Sequence, residues 1–332
     1  MTRPEAIVQP PADATTAATV LAVDLGGTNV RAAAVSATGQ ILARRQALTR
    51  PAAGLAQVLE RIAETVDGAA REAGLSAATP VGVAMPGTVN PYTGMLGLAP
   101  NLDWHDVPIR RLLQERLQRP VAVANDVNAG ALGEWRYGAG RGTRDFIYIA
   151  CGTGVGGGVI VDGRLLLGKD GLAVEAGHMV VAIDGPRCHC GGRGCLEAFA
   201  GGWAIEQTAQ DLLDRGMPSV LPELMADRGE GLSGALINYA AAQDDGLALE
   251  VLSRAGRALG FAVASLIHLF NPEVVAIGGG VITAGQFFIA PMHEAIGEQL
   301  IPQYRDGLRV VTSELGQDAG LLGAAVLATG GR

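Results

Sequence analysis

Two hydrophobic periods run along this chain, and the switches between them predict most of its elements. Residues 20–24, 81–85, 121–124, 146–150 and 274–277 are apolar almost throughout, as strands buried on both faces are. Segments 30–35, 41–48, 159–162 and 308–312 read as further strands. Residues 55–73 repeat their apolar positions with helical period and stop at Gly74. A second helix is predicted from Asn125-Asp126 to about Tyr137. Residues 204–269 are mainly helical, a helix follows Gly278-Gly279-Gly280, and a last one runs from Asp318. Strands alternate with helices, which makes the class α/β. Several apolar strands end on glycine or on polar residues: Gly26-Gly27, Pro86-Gly87, Asn125-Asp126 and Gly278-Gly279-Gly280. Those C-terminal ends are where α/β sheets place ligands. Residues 1–18, rich in Pro, Ala and Thr, read as a flexible tail.

A weak internal repeat adds to this pattern. Residues 20–35 are a strand, a glycine turn and a strand, and residues 146–161 repeat that order. Two similar halves, each offering a glycine turn, would face each other across a cleft. The length of 332 residues allows two domains.

Composition narrows the partners. The 48 glycines are about twice ordinary usage and gather at strand ends rather than in a low-complexity tract. The net charge is −8 and no basic stripe is visible, so nucleic acid is not expected as a partner. No signal-peptide core and no membrane-length apolar run is present. No membrane partner is expected, and the expected location is the cytoplasm.

Three glycine segments are candidates for phosphate contact. Asp24-Leu25-Gly26-Gly27-Thr28-Asn29-Val30-Arg31 lets backbone N–H groups approach an anion. Thr28 and Asn29 add polar donors, Arg31 adds fixed charge, and Asp24 is placed to hold Mg²⁺ through water. No Gly-Lys-Ser/Thr follows, and the next element is a strand, so neither a P-loop nor a dinucleotide fingerprint fits. An ordinary hairpin turn remains the plain alternative. Gly152-Thr153-Gly154-Val155-Gly156-Gly157-Gly158 is the second segment, costly in chain entropy unless something must come close. Gly278-Gly279-Gly280 is the third, although such runs also occur in simple turns. Asp126 follows an apolar strand and opens a helix, so it is either a catalytic carboxylate or a helix N-cap. Asn101 lies in a polar loop, as a turn former or a hydroxyl reader.

The stretch Cys188-His189-Cys190-Gly191-Gly192-Arg193-Gly194-Cys195-Leu196-Glu197 follows Glu175-Ala176-Gly177-His178. Three thiolates and one imidazole, His178, Cys188, Cys190 and Cys195, make a closed tetrahedral set for structural Zn²⁺. Reduced core cysteines or a disulfide are the alternatives. Glu175 and Glu197 flank the ligands, as if a rigid knot held two carboxylates for a ligand.

Taken together these residues resemble the ROK family of sugar kinases and repressors, within the actin-like and hexokinase-like ATPase superfamily. The resemblance runs from about Val20 to Leu327 and rests above all on Cys-x-Cys-Gly-x-x-Gly-Cys-x-Glu and Glu-x-Gly-His. It implies two actin-like ATPase (ribonuclease-H-like) domains with an interdomain cleft. The small one would be 19–122 plus about 313–332, and the large one 123–312 with the zinc-binding loop. It implies an ATP-dependent kinase for the 6-hydroxyl of glucose, with Asp126 as general base. ATP phosphates would meet the segments around Gly26, Gly27, Gly152, Thr153, Gly154 and Gly156, with Gly278, Gly279 and Gly280 nearby. Gly87, Asn101, Asn125, Glu175, His178 and Glu197 would contact the sugar. Kinases for N-acetylmannosamine, N-acetylglucosamine, fructose or mannose share these motifs, and sugar-responsive repressors share the body. The stretch ahead of Val20 is expected to be too short for a helix-turn-helix module. A homodimer or homotetramer is implied. One departure is Val174, where relatives usually carry Gly before Glu-x-Gly-His.

Overall fold

The computed structural model describes residues 19–330; the tail expected at 1–18 lies outside them. The strands are β1 (Val20–Leu25), β2 (Asn29–Val35), β3 (Ile41–Leu48), β4 (Val81–Met85), β5 (Val89–Asn90), β6 (Met95–Ala99), β7 (Trp104–Val107), β8 (Val121–Asn125), β9 (Phe146–Cys151), β10 (Val155–Val161), β11 (Arg164–Leu165), β12 (Val274–Gly278) and β13 (Arg309–Thr312). The helices are α1 (Leu55–Glu72), α2 (Ile109–Leu117), α3 (Asp126–Tyr137), α4 (Glu197–Ala200), α5 (Gly202–Asp214), α6 (Leu221–Arg228), α7 (Gly234–Ala241), α8 (Gly246–Phe270), α9 (Gln286–Gln299) and α10 (Ala319–Ala328). The sheets run β3-β2-β1-β4-β8, β11-β10-β9-β12-β13 and β5-β6-β7.

Packing divides the described chain into two compact units. The first holds 19–148, 158–174 and 313–330; the second holds 149–157 and 175–312. Residues 123–148 fall with the first unit, whereas the sequence boundary was expected at 122/123. The reason is α3, which packs along α10 and against β4. Gly323 and Gly133 make that packing close. A Cβ at Gly323 would stand 1.6 Å from the Ala129 carbonyl oxygen, and one at Gly133 would stand 2.3 Å from that of Ala319.

In the first unit, β1 pairs antiparallel with β2 and parallel with β4, which pairs parallel with β8. Alternate β1 residues enter different cores, as the strand period requires. Leu21, Val23 and Leu25 pack with Val58, Ile62 and Val66 of α1. Val20 and Ala22 pack with Leu321, Ala324 and Ala325 of α10. The same alternation places Asp24 on the α10 side, and the β1–β2 register puts Arg31 opposite it.

A buried carboxylate ties this unit together. Glu134 on α3 is fully buried and accepts from Ala139 N at 2.9 Å, Leu315 N at 2.8 Å, Glu314 N at 3.2 Å and the Ser313 hydroxyl. It satisfies the backbone just where the chain returns to the unit at Ser313.

Two sequence expectations change. Residues 89–107 form a small three-stranded sheet, and α2 follows it; of this stretch the sequence reading placed only the loop at Asn101, which joins β6 to β7. Short strands separated by Pro91 and Gly94, one of them carrying Gly97, show too little pattern to be recognised. The second glycine loop is shorter than read: β10 starts at Val155, so Gly156, Gly157 and Gly158 are strand residues. Gly158 is required by packing, since its Cβ would lie 2.5 Å from Ala131 Cβ. Val174 has φ +65°, the left-handed region that β-branched residues avoid. Its backbone is strained by about 1–3 kcal/mol, at the last residue of the first unit's middle segment.

Among the described residues no helix is long and apolar enough to cross a membrane.

Candidate functional site

Asp24, Gly26, Gly27, Thr28, Asn29, Arg31, Gly87, Asn101, Asn125 and Asp126 all belong to the first unit. Gly26 N donates to Asn29 O at 2.8 Å, closing the hairpin turn between β1 and β2. Thr49, fully buried and not foreseen from sequence, locks that turn with its hydroxyl on Gly26 O at 2.7 Å. Thr28 at the tip is exposed. Asn29 Oδ1 accepts from Gln46 Nε2 at 3.0 Å. A Cβ at Gly27 would lie 3.5 Å from Asn101 Cβ, so Asn101 and the first glycine loop are brought side by side.

Asn125 takes the N-cap position that was weighed for Asp126. Its Oδ1 accepts from Val127 N at 2.9 Å and Asn128 N at 3.2 Å, and its Nδ2 donates to Gly87 O at 3.0 Å. Both Oδ1 lone pairs are used, which leaves one N–H for a ligand. Gly87 has φ +100°, and a Cβ there would stand 2.2 Å from Leu98 O, so backbone packing alone requires glycine. Asp126 is therefore the first helical residue of α3 rather than its cap, although its Oδ1 also accepts from Val127 N at 2.9 Å. Burial, and then the charge of Asp24, push its carboxyl up to about 6.

Arg31 does not stand free. Its guanidinium pairs with the Asp24 carboxylate, donates to Gln317 O at 2.8 Å and lies 3.9 Å from Asp318. Asp318 in turn takes Arg44 at 2.6 Å.

The second unit carries Gly152, Thr153, Gly154, Gly156, Glu175, His178, Cys188, Cys190, Cys195, Glu197, Gly278, Gly279 and Gly280. The His178, Cys188, Cys190 and Cys195 ligand atoms all lie within 4.8 Å of one another. Cys190 and Cys195 sulfurs are 3.7 Å apart, and Cys188 Sγ is 3.9 Å from His178 Nδ1. Two thiolates on one tetrahedral ion at Zn–S about 2.3 Å stand about 3.8 Å apart, so the donor set and its spacing fit zinc. All four cysteines are free thiols, which sets aside the disulfide alternative. Burial pushes the Cys188 thiol up and the Cys195 thiol up to about 12, while the Gly192 N–H lowers Cys190. With Nδ1 turned to the cysteines, His178 keeps Nε2 for another partner.

Glu197 begins α4 two residues after Cys195. Its Oε2 accepts from Val155 N at 3.0 Å, and its Oε1 lies 3.9 Å from Cys188 Sγ. The knot, the carboxylate and the second glycine loop are thus one assembly. A Cβ at Gly154 would stand 2.4 Å from Glu197 Oε2, so that glycine makes room for a side chain of this protein. Gly152 and Gly280 differ: a Cβ at either meets nothing within 4 Å. Gly279, at φ +92°, lies so close to the Cys151 backbone that packing explains it. Glu175 and His178 are exposed.

The profile of the ROK family matches residues 20–330. The glucokinase of Thermotoga maritima is 40% identical over 311 residues, 92% of this chain and 96% of that protein. The crystal structure of a ROK family glucokinase from Streptomyces griseus, in complex with glucose and AMPPNP, superposes with TM-score 0.79 at 35% identity, covering 94% of this chain and all of that one. The DNA-binding transcriptional dual regulator NagC of Escherichia coli is 34% identical over 258 residues, 78% of this chain and 62% of the regulator.

Proposed function

The chain belongs to the ROK family, and from that premise we propose that it is an ATP-dependent hexose kinase acting on the 6-hydroxyl of glucose. The observation that carries this reading is Asp126. A carboxylate whose proton affinity is raised to about 6 is matched to taking a proton near neutral pH. Asn125 caps the helix, so Asp126, half-buried in its first turn, is not needed there as the cap.

On this reading Asp126 Oδ accepts the proton of the sugar hydroxyl as that oxygen attacks the γ-phosphorus, the bond from the γ-phosphorus to the β,γ-bridging oxygen breaks, and ADP leaves with that oxygen. Asn101, the remaining N–H of Asn125 and the Gly87 backbone are assigned to sugar hydroxyls, with Glu175, His178 Nε2 and Glu197 Oε1. The N–H groups around Gly26, Gly27 and Gly152, with Thr28, Asn29 and Thr153, are assigned to ATP phosphates, and bare Gly280 to the nucleotide. Mg²⁺ suits the hard oxygen of Asp24 Oδ1, which Arg31 leaves free, and would neutralise charge on the phosphates. Zn²⁺ is assigned to the His178–Cys188–Cys190–Cys195 knot as a structural ion that fixes Glu197.

The two glycines of the second loop should separate. Gly152→Ala should raise the ATP KM at least about tenfold, about 1.4 kcal/mol, and leave the glucose KM unchanged. Gly154→Ala should raise the glucose KM, because the methyl group displaces Glu197. Steady-state KM values for both substrates check this, and an equal effect of both variants on ATP alone would contradict it.

The sugar is decided by a coupled ADP-release assay over glucose, mannose, fructose, N-acetylglucosamine and N-acetylmannosamine. Glucose is expected to give the highest kcat/KM, and an N-acetylhexosamine in first place would reassign the substrate. The NagC-like relative keeps a second reading alive, a sugar-responsive regulator. Sequence-specific DNA binding released by sugar, with no ADP formed, would establish that reading instead.

A further inference from the structure

Arg31 was expected at the phosphates, yet its guanidinium is gripped from two sides by protein groups. On one side is the Asp24 carboxylate, its cross-strand partner on β2–β1. On the other are Gln317 O at 2.8 Å and the Asp318 carboxylate at 3.9 Å, just ahead of α10. Asp318 is itself held by Arg44 of β3 at 2.6 Å. A phosphate would have to compete with all three of these partners.

We propose that Arg31 is a positioning residue: it holds Asp24 by Oδ2 and offsets its charge, so that Asp126 can stay ionised beside a second carboxylate. β4 (VGVAM), β8 (VAVAN) and α10 (AGLLGAAVLA) carry no titratable side chain. Asp24 comes from β1, Arg31 from β2, Asp318 from the turn before α10, and Arg44 from β3 beyond it. The α3 cap Asn125 and Asn128 are neutral, Glu134, Arg136 and Tyr137 lie in the last turns of α3, and β11, which packs against α3, brings Arg164. Asp24 and Asp126 both border Gly320 at the start of α10, where a Cβ would stand 3.4 Å from Asp24 Oδ1 and 3.9 Å from the Asp126 carbonyl oxygen; a like charge that near raises a carboxyl. Removing Arg31, the cation paired with Asp24 among the described residues, exposes Asp126 to the full charge.

The rate arm of the test rests on the kinase reading; the binding-of-protons arm does not. Unfolding free energy measured against pH for the wild type and Asp126→Asn gives the folded-state proton affinity of Asp126 by linkage. Repeating the pair in an Arg31→Met background should show that affinity raised about tenfold, with Arg31→Lys restoring most of the wild-type value. The acid limb of kcat/KM for glucose should move up by the same amount, while the ATP KM changes less than about threefold, about 0.7 kcal/mol. Should Arg31→Met fail to fold, Arg31→Gln makes the same comparison. A proton affinity that does not move in these backgrounds overturns the proposal. So does a tenfold rise in ATP KM with an unmoved acid limb, which would return Arg31 to the phosphates. If the purified protein phosphorylates no hexose, the kinase reading fails, and the linkage measurement still decides the role of Arg31.

Discussion

Asp126→Asn should lower kcat by at least about 10²-fold, the ordinary worth of a general base, and at the same time make the protein more stable at pH 8. The second effect follows from burial. The folded-state value of about 6 stands above the ordinary 3.8, so the folded chain binds this proton more tightly than the unfolded one. Below pH 4 both states are protonated and Asp126 costs nothing. Between pH 4 and 6 the folded state must give up a proton it holds more tightly, and above pH 6 the penalty is complete. It amounts to at most about 3 kcal/mol. Asparagine carries no such penalty, so the gain should be full at pH 8 and vanish by pH 4. In the wild type, kcat/KM should fall as pH drops through about 6, because the base is then protonated. Chemical denaturation at the two pH values, with initial rates alongside, reads all three effects. Near-normal turnover in Asp126→Asn would remove Asp126 from the mechanism. An equal change in stability at pH 4 and pH 8 would show that its charge is not strained.

Cys190→Ser should release the metal, lower the melting temperature steeply and abolish activity. A structural zinc contributes on the order of 10 kcal/mol to the site that it organises, more than most domains hold in reserve. The loss reaches the site through Glu197, which is covalently two residues from Cys195 and bonded to Val155 N at the start of β10. The structure supplies a reporter. His189 lies between two ligands and stacks on Trp203, with ring centroids 3.9 Å apart and planes 19° from parallel. Zinc removal should free that stack and change Trp203 fluorescence in step with activity. Elemental analysis of the wild type should find about one zinc per chain, from four ligands to one ion. Metal-free protein that keeps full activity in strong chelator would show that the knot is only a glycine-rich turn with three spectator thiols.

The parts legible in the sequence are those where one side-chain property decides the structure. β1, β4 and β12 are buried on both faces, so their apolar runs mark them within a residue at each end. The knot was legible because thiols and imidazole at that spacing have few other uses. Asp126 was legible as an element boundary, but not as distinct from its neighbour: a side chain's choice between capping and chemistry depends on backbone angles, and Asn125 turned out to be the cap. Glycine was the least legible residue. Gly152 and Gly280 are bare toward open space, while Gly154, Gly158 and Gly279 exist for packing against Glu197, Ala131 and Cys151. The sequence treats them alike because what a missing Cβ makes room for is a tertiary fact. Glu134 was missed for a related reason. A glutamate near a helix end usually faces water, and most of the donors that satisfy this one come from the return of the chain at Ser313. Val174 could be noted as unusual, but its strain is visible only in φ.

The transfer itself decides whether this protein is a glucose 6-kinase. Purified protein incubated with ATP, Mg²⁺ and glucose should yield ADP and a phosphomonoester in equal amounts, with phosphorus coupling to the carbon-6 protons by NMR. Phosphate on another carbon, or ADP formed without any sugar ester, would contradict it.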